Sequence, residues 1–479
     1  MSDARKLPAE LEREMTPAVR AFVESLFARL DELTGEVDRL RQELKKAKRF
    51  SHAPESGESE NSDSETANGT EEPATKKRKR RRGGQPGHPK AERALIPSEQ
   101  CCEVVACKPE ACRKCGTSLE GDDPDPWRHQ VTDIPPITPT VVEYQRHRLT
   151  CPCCGVSTCG ELPEGVPTGM TGPRLVAIVG VLMVLFRQSK RRVSHCCQIL
   201  LNTSVSPGLV VKLQNIVTAS TRPAYRDLVQ QLPRQPAVNV DETPTRESND
   251  SAWIWTVVSK SFTVFAVRVT KASCVIKTLL GKTYDGVVTS DRAKMYDHFP
   301  RHQWCWAHLK RDFKTVTESS HRNAVQIRKT LLDLTHDLFH HWHRIRDGTV
   351  TRPTFLKHMR RIYGDVYLAL EEGMHCAHRP TAALCENLVN GYDNLFAFVD
   401  FPGVEPTNNA AERALRHPVI WKQLSFGTQS ENGSRFVETL LTVVETCRQQ
   451  QRDTLKFLSD SVTAYFNNLD GPRLTPIGV

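Results

Sequence analysis

The apolar positions between residues 236 and 308 fall into five short runs rich in β-branched and aromatic residues, a pattern that predicts strands. The runs occupy residues 236–243, 251–259, 261–269, 285–291 and 301–308. A tight polar turn separates the second run from the third, which predicts a hairpin. Between the third and fourth runs, residues 272–280 have a helix-like pattern that closes with Gly281. Three strands, a helix and a further strand are the element order of an RNase H-like sheet.

Two of the predicted strands end in a carboxylate. The first run delivers Asp241 and Glu242, and the fourth delivers Asp291. Transfer chemistry at phosphate uses two divalent ions about 3.5–4 Å apart, and hard cations bind carboxylate oxygens. We expect Asp241 to bridge two Mg²⁺ ions and Asp291 to complete the shell of one. On the pattern alone, Glu242 rivals Asp241, and Asp285 or Asp297 rivals Asp291.

A third carboxylate is expected from a helix beside the sheet. The segment 407–417 (TNNAAERALRH) has Thr and Asn residues that can cap a helix start, and we expect Pro418 to stop the helix. Glu412 lies one turn in. Ala410 and Ala411 would let this helix approach the sheet closely.

The N-terminal segment has apolar residues at alternating spacings of three and four, which places them on one seam of a helix. The seam residues are Val23, Leu26, Leu30, Leu33, Val37, Leu40 and Leu44. This pattern predicts a coiled coil over 19–46, within a helical segment 1–50, and a homodimer or higher oligomer formed through it. Three heptads are short and contain Gly35, so a bare amphipathic helix is the alternative.

A change of charge follows this segment. Residues 51–75 are rich in Ser, Glu, Asn and Asp and predict a disordered acidic linker. The next seven residues are all cationic and could release counterions from DNA phosphates. They are Lys76, Lys77, Arg78, Lys79, Arg80, Arg81 and Arg82. A solvated tail or a nuclear address is the alternative. Arg413 and Arg416, on the helix of Glu412, are further candidate phosphate contacts, although they could instead screen the acid cluster.

Two Cys-x-x-Cys-Gly sequences have the spacing of a four-thiolate zinc ribbon. Their cysteines are Cys112, Cys115, Cys151 and Cys154. The segment between them is rich in strand formers, and bound zinc would supply folding energy that so small a core lacks. We therefore predict one structural Zn²⁺. Cys153 and Cys159 leave the identity of the fourth ligand open, and four free thiols in a loop are the alternative.

Residues 173–220 are predicted to be largely helical. A helix at 191–201, a polar turn at 202–206 and a helix at 207–217 have helix-turn-helix proportions. Ser206 suits a helix cap, and Pro207 suits a first helical turn. Because any two packed helices would look the same, a DNA-reading role remains one of two interpretations.

Composition narrows the class of protein. Hydrophobic residues make up 38% of the 479 residues, and the formal net charge is +9, which favours an anionic partner, nucleic acid before membrane. No apolar run approaches the roughly 18 residues of a membrane span. The charged N-terminus lacks the apolar core of a signal peptide. These features predict a cytoplasmic protein that does not act at a membrane.

Six motifs, in order, resemble transposases of the insertion-sequence 66 family. They are VDETP (240–244), SDRAKMY (290–296), WCWAHLKRDF (304–313), PTNNAAERALR (406–416), Lys422 leading into FGTQSENGSRF (426–436), and VVETCRQQ (443–450). The similarity also reaches GGQPGH (83–88) and the cysteine pairs. It therefore spans roughly residues 80–465.

The resemblance implies a DDE transposase whose acids are Asp241, Asp291 and Glu412, with Mg²⁺ or Mn²⁺ as the cofactor. Its DNA substrates would be transposon ends and target. The family is bacterial, so a nucleoid-associated protein is expected, and its elements encode accessory proteins that are further candidate partners. Cys305-x-x-His308 resembles the C/DxxH element of related transposases; core packing, a zinc contact and a DNA contact are all open for it.

These observations predict an α/β fold class: an RNase H-like mixed sheet core with a helical insertion, preceded by a helical region, a small zinc ribbon and an N-terminal coiled coil. The histidines of the insertion, such as His340, His341 and His343, suit helix faces near DNA better than a metal site. The predicted segments are 1–50 for the coiled coil, 51–82 for the linker and basic run, 83–168 for the zinc module, 169–233 for the helical region, 234–465 for the core with its insertion at 314–400, and 466–479 for a C-terminal tail.

Three other functions share part of this pattern. A non-catalytic, zinc-containing DNA-binding regulator would have the basic run, the cysteine pairs and the coiled coil, but no need for carboxylates on two strands and a helix. A nuclease of the same fold would cleave DNA without joining it. A decayed, inactive copy is the third alternative. Intact motifs argue against it, because a decayed copy would not need to keep them.

Overall fold

The computed structural model describes residues 94–315 and 321–475, together with Thr16, Ser25 and Arg29. Apart from those three positions, the predicted coiled coil, acidic linker and basic run lie outside the described residues and stay predictions. The chain divides into two compact units, residues 1–130 and 131–479.

The described part of the first unit has little regular structure. A short 3-10 turn spans Ser98–Gln100, and an isolated bridge joins Ala111 to Ser118. The Gln130 side chain accepts a hydrogen bond from the Ile96 backbone N–H at 3.0 Å and donates one to its carbonyl at 2.8 Å. Hydrogen bonds of this kind, between a side chain and a distant backbone group, hold this segment together where regular secondary structure is sparse.

The second unit begins with a hairpin of strands β1 (Arg148–Thr150) and β2 (Ser157–Cys159), which pair antiparallel. Three helices follow. They are α1 (Pro173–Val184), α2 (Lys190–Leu201) and α3 (Pro207–Gln231). None of the helices in the described part of the chain is both long and apolar enough to cross a membrane.

Helices α2 and α3 have the predicted two-helix arrangement. Helix α2 ends at Asn202 in the left-handed conformation, and the Ser206 hydroxyl accepts the Leu209 backbone N–H at 3.1 Å, with Pro207 in the first turn of α3. Helix α3 continues well beyond residue 217, with Pro223 inside it. Its long apolar face is the physical reason, because Leu213, Val217 and Leu228 are all buried. A DNA-reading role for this pair stays a prediction.

The central sheet has five strands in the order β5-β4-β3-β6-β7. Strands β3, β4 and β5 are antiparallel neighbours, whereas β6 pairs parallel to both β3 and β7. This mixed sheet is consistent with an RNase H-like core. The strands are β3 (Ala237–Glu247), β4 (Asp250–Val258), β5 (Thr263–Arg268), β6 (Val287–Ser290) and β7 (His302–Trp304), with helix α4 (Ser273–Leu280) between β5 and β6.

Two strand boundaries differ from the prediction. The prediction that the first strand ends at Asp241 and Glu242 is wrong, because β3 pairs with β4 along its whole length, as far as Glu247 opposite Asp250. The fifth run is also only partly a strand. It changes to a helix at Cys305, which precedes helix α5 (Trp306–Lys314).

Most of the described residues between the sheet and the helix of Glu412 are helical. Leu331, Phe355, Ile362 and Leu388 form part of a hydrophobic core that these helices share with α5. The helices are α6 (Arg322–Arg346), α7 (Arg352–Met374), α8 (Arg379–Asn390) and α9 (Ala397–Asp400).

Three helices complete the unit: α10 (Asn409–Ser425), α11 (Glu431–Gln449) and α12 (Thr454–Phe466). The prediction that Pro418 stops the helix of Glu412 is wrong, because α10 passes through it to a left-handed end at Phe426. Pro418 is buried on the same face as Ala411 and Ala414. Packing of this face outweighs the backbone hydrogen bond that proline removes.

Helix α11 covers the open edge of the sheet at β5. Its side chains accept backbone N–H groups that an edge strand would otherwise leave unpaired. Thr446 Oγ1 accepts from Thr263 at 3.2 Å, Thr442 Oγ1 from Phe265 at 2.9 Å, and Glu438 Oε2 from Val267 at 3.0 Å. The acceptors are four residues apart on the helix, and the donors are two residues apart on the strand. These spacings cover similar distances, so the three contacts line up where the helix faces the strand.

Candidate active site

Two of the predicted acids lie at the carboxyl end of the parallel strands β3 and β6. The pairing of these strands ends at Asn239 opposite Thr289. Asp241 is two residues further along β3, and Asp291 directly follows β6. Beyond this point β3 continues as the neighbour of β4, and the carboxyl ends of parallel strands are where ligands bind in open α/β sheets.

The Asp241 carboxylate has a strongly perturbed environment. Burial raises its pKa to about 7, and the charges of Glu242, Asp291 and Glu412 act in the same direction. The backbone N–H of Glu242 donates to Asp241 Oδ1 at 2.8 Å and partly opposes this rise. The three predicted acids therefore lie close enough for their charges to repel.

Glu412 reaches this cluster from the first turn of α10. Asn408, the residue directly before α10, does not cap the helix with its side chain. Instead, Asn408 Nδ2 donates to the Val240 carbonyl at 2.8 Å, and Asn408 Oδ1 accepts from Asn239 Nδ2 at 3.1 Å. These two bonds fasten the start of α10 to β3 beside Asp241.

One oxygen of the Glu412 carboxylate is unsatisfied. Oε1 is buried and has no hydrogen-bond partner among the described residues. It lies 3.7 Å from Nε2 of His308, which is beyond hydrogen-bond distance. A buried carboxylate oxygen without a partner is costly, so this atom is suited to a cation.

The alternative Glu242 is already paired. Lys271 Nζ lies 2.7 Å from Glu242 Oε1, and the Tyr296 hydroxyl donates to Oε2 at 2.5 Å. Both oxygens of Glu242 therefore have partners, whereas Asp241 accepts a backbone N–H. This difference favours Asp241 over Glu242 as a metal ligand.

The alternatives to Asp291 lie in more exposed positions. Asp285 is exposed, precedes β6 and forms an ion pair with Arg301 at 3.1 Å. Asp297 is exposed and follows the 3-10 turn Lys294–Tyr296. Their charges are not among those that raise the pKa of Asp241, whereas that of Asp291 is.

Cys305 and His308 also reach Glu412. Their ligand atoms and a carboxylate oxygen of Glu412 all lie within 4.8 Å of one another. Cys305 is buried at the start of α5, and its Sγ accepts the backbone N–H of Asn408 at 3.1 Å. The C-x-x-H segment is thus part of the surroundings of the candidate site.

The two cysteine pairs adopt the same local turn. In each, the first Cys donates its N–H to the carbonyl five residues on and accepts the N–H of the following Gly. The distances are 2.8 and 2.9 Å for Cys112 with Thr117 and Gly116, and 2.9 and 2.9 Å for Cys151 with Val156 and Gly155. Both glycines have positive φ, 75° and 70°, a conformation that favours glycine.

Hydrogen bonds within each turn favour the thiolate, which is the form that binds metal. Bonds from Thr117 lower the pKa of Cys115 to about 7. Backbone bonds from Cys154 and Cys153 lower the pKa of Cys151. Each turn is therefore shaped for a metal-binding thiolate.

Comparison with known protein families gives two matches along the chain. Residues 168–435, more than half of the chain, match the family model described as "Transposase IS66 family". The chain belongs to the IS66 transposase family. The resemblance inferred from its motifs is therefore confirmed. Residues 109–155, which contain all four predicted zinc ligands, match the zinc-finger binding domain of transposase IS66.

A curated relative of this IS66-family chain is the uncharacterized protein y4jO of Sinorhizobium fredii (strain NBRC 101917 / NGR234). The two are 23% identical over 205 residues, which is 42% of this chain and 57% of the relative. The chain thus spans a little over half of that protein.

Sequence reasoning missed several residues that shape this site. Asn408 was expected only as a helix cap, and its bonds to β3 involve residues 168 and 169 positions away. Lys271 and Tyr296 pair with the Glu242 carboxylate, and although Tyr296 ends the SDRAKMY motif, neither was predicted to have a role in the site. Arg413 and Arg416 were expected to face DNA, and both are exposed on α10.

Proposed function

We propose that this IS66-family transposase cleaves DNA at transposon ends and joins it to a target, using Asp241, Asp291 and Glu412 as a DDE triad. One observation carries the proposal. Glu412 presents a buried carboxylate oxygen that has no hydrogen-bond partner among the described residues, and the pKa of Asp241 is raised by burial and by the charges of Glu242, Asp291 and Glu412. Three acids that are far apart in the sequence are thus held close together although their charges repel. A bound cation would offset this repulsion.

The three acids suit divalent Mg²⁺ or Mn²⁺. Carboxylate oxygens are the ligands that these hard cations prefer. Nearby Lys271 pairs directly with Glu242, and its charge is also felt by Asp241 and Asp291. When bound, two such ions would activate the attacking oxygen and stabilise the leaving oxygen of a phosphodiester.

The chain's own residues would position these groups. Asn408 fixes the helix of Glu412 against β3 through two hydrogen bonds, so that Glu412 faces Asp241 rather than solvent. Arg413 and Arg416 are exposed on the same helix and would contact the DNA backbone. The run of seven cations at residues 76–82 would add affinity that does not depend on sequence.

The cysteine turns would hold one structural Zn²⁺. Each turn already directs hydrogen bonds toward its sulfurs, which is the environment that thiolate ligands need. The proposed ligands are Cys112, Cys115, Cys151 and Cys154. Their role would be to stabilise the fold of residues 83–168, because bound metal supplies free energy that a small core lacks.

The triad is tested by Asp241→Asn, Asp291→Asn and Glu412→Gln in the full chain. We expect each to reduce nicking of supercoiled transposon-end DNA with Mn²⁺ by about three orders of magnitude, because a lost metal ligand costs several kcal/mol of transition-state stabilisation. Binding of end DNA in a mobility-shift assay should persist. Asp285→Asn, an exposed acid near the same strand, is the matched control and should cleave normally. Near-normal cleavage by any triad variant would remove that residue from the site.

Joining is tested separately with a pre-cut transposon end and a target plasmid. A transposase yields a covalent end–target product, whereas a nuclease of the same fold cleaves and yields none. A non-catalytic regulator would shift the DNA band without nicking it. Either of the last two results would contradict the proposed function.

A further inference from the structure

We propose that Cys305, His308 and Glu412 form a second metal site, which takes a borderline-soft divalent ion such as Zn²⁺. The ligand atoms of the three residues all lie within 4.8 Å of one another. Thiolate, imidazole and carboxylate are the three ligand types that zinc uses in proteins. Mg²⁺, by contrast, binds oxygen ligands, so this site would select a different ion from the proposed acid triad.

The local structure presents the ligands to one point. Cys305 directly precedes α5 and His308 lies in its first turn, a spacing of three that places both on one face of the helix. Glu412 faces them from the first turn of α10. His308 Nε2 and Glu412 Oε1 are 3.7 Å apart, close to the edge of about 3.4 Å expected for a tetrahedral site with bonds near 2.1 Å.

One of the three side chains presents a polar atom in need of a partner. Oε1 of Glu412 is buried and has no hydrogen-bond partner among the described residues. Buried polar atoms are normally paired, so this oxygen indicates an absent ligand. Cys305 Sγ already accepts the N–H of Asn408, an arrangement that stabilises a metal-bound thiolate.

Three protein ligands leave one position of a tetrahedral ion open, as in catalytic rather than purely structural zinc sites. The site shares Glu412 with the proposed triad, and this consequence rests on the proposed function. An ion held by Cys305, His308 and Glu412 would withdraw Glu412 from the triad. Zn²⁺ is therefore expected to compete with Mg²⁺ and to inhibit DNA cleavage.

The site itself is tested without cleavage, with Co²⁺ as the spectroscopic probe. The full chain is first given one equivalent of Zn²⁺, which the four thiolates of the cysteine turns bind in preference to a three-ligand site, and Co²⁺ uptake is then followed by thiolate-to-cobalt charge-transfer absorption. We expect about one additional Co²⁺ per chain, with a band that Cys305→Ser and His308→Gln both lose. Each variant keeps the cysteine turns, so exchange of metal there contributes equally to all samples.

Matched controls separate this site from other thiols and imidazoles. Cys274→Ser and His195→Gln change an exposed Cys and an exposed His elsewhere in the same unit and should keep the additional Co²⁺. His308 is about one third exposed, so its variant checks the result if the buried Cys305→Ser fails to fold. Equal Co²⁺ uptake by the wild type and both site variants, or none beyond the cysteine turns, would overturn the proposal.

One further variant distinguishes this proposal from the proposed function. Asp241→Asn should abolish cleavage and keep the additional Co²⁺, because Asp241 is not a ligand of this site. Glu412→Gln should lose both. A Glu412→Gln variant that loses the Co²⁺ band but still cleaves DNA would support the metal site and contradict the triad. Retention of the band in Glu412→Gln would overturn the metal site whatever the cleavage result.

Discussion

Asp241 shows how the surroundings of a single residue can make its charged state unfavourable. Both oxygens of neighbouring Glu242 have partners, Lys271 and Tyr296, whereas among the described residues Asp241 is seen to accept a backbone N–H. The charges of three other acids, including Glu242, also act on Asp241. Burial raises its pKa to about 7, against an ordinary value near 3.9. In the ion-free protein the charged form of Asp241 therefore costs stability. A divalent ion at the triad would remove this cost.

Replacing Asp241 should consequently stabilise the ion-free protein at high pH. The pKa in the folded state lies above that in the unfolded state, so between pH 4 and 7 the folded protein binds the extra proton and its free energy of unfolding falls as pH rises. Asp241→Asn escapes this loss. We expect it to be more stable than the wild type by on the order of 1–3 kcal/mol at pH 8, with a clearly smaller difference at pH 5.

Denaturant unfolding without added Mg²⁺ at pH 5 and pH 8, followed by tryptophan fluorescence, measures this difference. Mg²⁺ at pH 8 should stabilise the wild type more than the variant, because a ligand stabilises the state that binds it. Asp285→Asn is the control, since Asp285 is exposed and ion-paired with Arg301. A pH-dependent gain of the same size in the control would contradict the explanation.

At the scale of elements, periodicity predicted the order of strands and helices but not their ends. Strand β3 continues to Glu247 because β4 pairs with it, and α10 passes Pro418 because its apolar face is buried. In both cases a tertiary contact outweighs a local signal, and a local pattern contains no information about it. The positions of Asp241 and Asp291, just past the end of the β3–β6 pairing, could be predicted. The alternation of apolar and polar residues and the order of the strands can both be read from nearby sequence.

The attachment of α10 to β3 leads to a prediction about Asn408. Asn408→Ala removes both bonds to β3 and leaves the buried Val240 carbonyl without its donor, which should cost about 1–3 kcal/mol of stability. Cleavage should fall further than stability predicts, because Glu412 loses its fixed position. Thermal unfolding and the rate of nicking measure the two effects. Asn409→Ala, one position along the same helix, is the control and should change both only slightly.

The contact of α11 with the edge strand β5 gives a second prediction at this scale. Thr442→Val keeps the side-chain shape but removes the acceptor of the buried Phe265 N–H, so a loss of about 1–3 kcal/mol in the free energy of unfolding is expected. Thr463→Val on α12 is the matched control, because that hydroxyl is exposed and bonds a carbonyl of its own helix. Equal losses in the two variants, measured by denaturant unfolding, would contradict a role for this contact.

For the whole molecule, motif order was more informative than periodicity. It identified the family, and the resemblance implied the three acids as a set. Motif order did not show that the helices α1 and α3 share one hydrophobic core with the sheet and with α11 and α12. Such packing joins residues more than 200 positions apart, for example Arg222 with Glu438 at 2.8 Å. Contacts of this kind depend on the whole chain and leave no local pattern.

Charge is the property of the whole molecule that leads to the last prediction. Seven of the cations that make the net charge +9 lie together at residues 76–82, outside the described residues. Replacing all seven by Gln should weaken binding to transposon-end and unrelated DNA by similar factors, because phosphate contacts carry no sequence information. If every cation meets a phosphate, the slope of log binding constant against log salt should flatten by about six. Lys456→Gln, which breaks an exposed ion pair with Asp460, is the control for a lost surface charge and should leave the slope nearly unchanged. A seven-residue variant that alters preference between DNA sequences but keeps the salt slope would show that the run reads bases rather than phosphates.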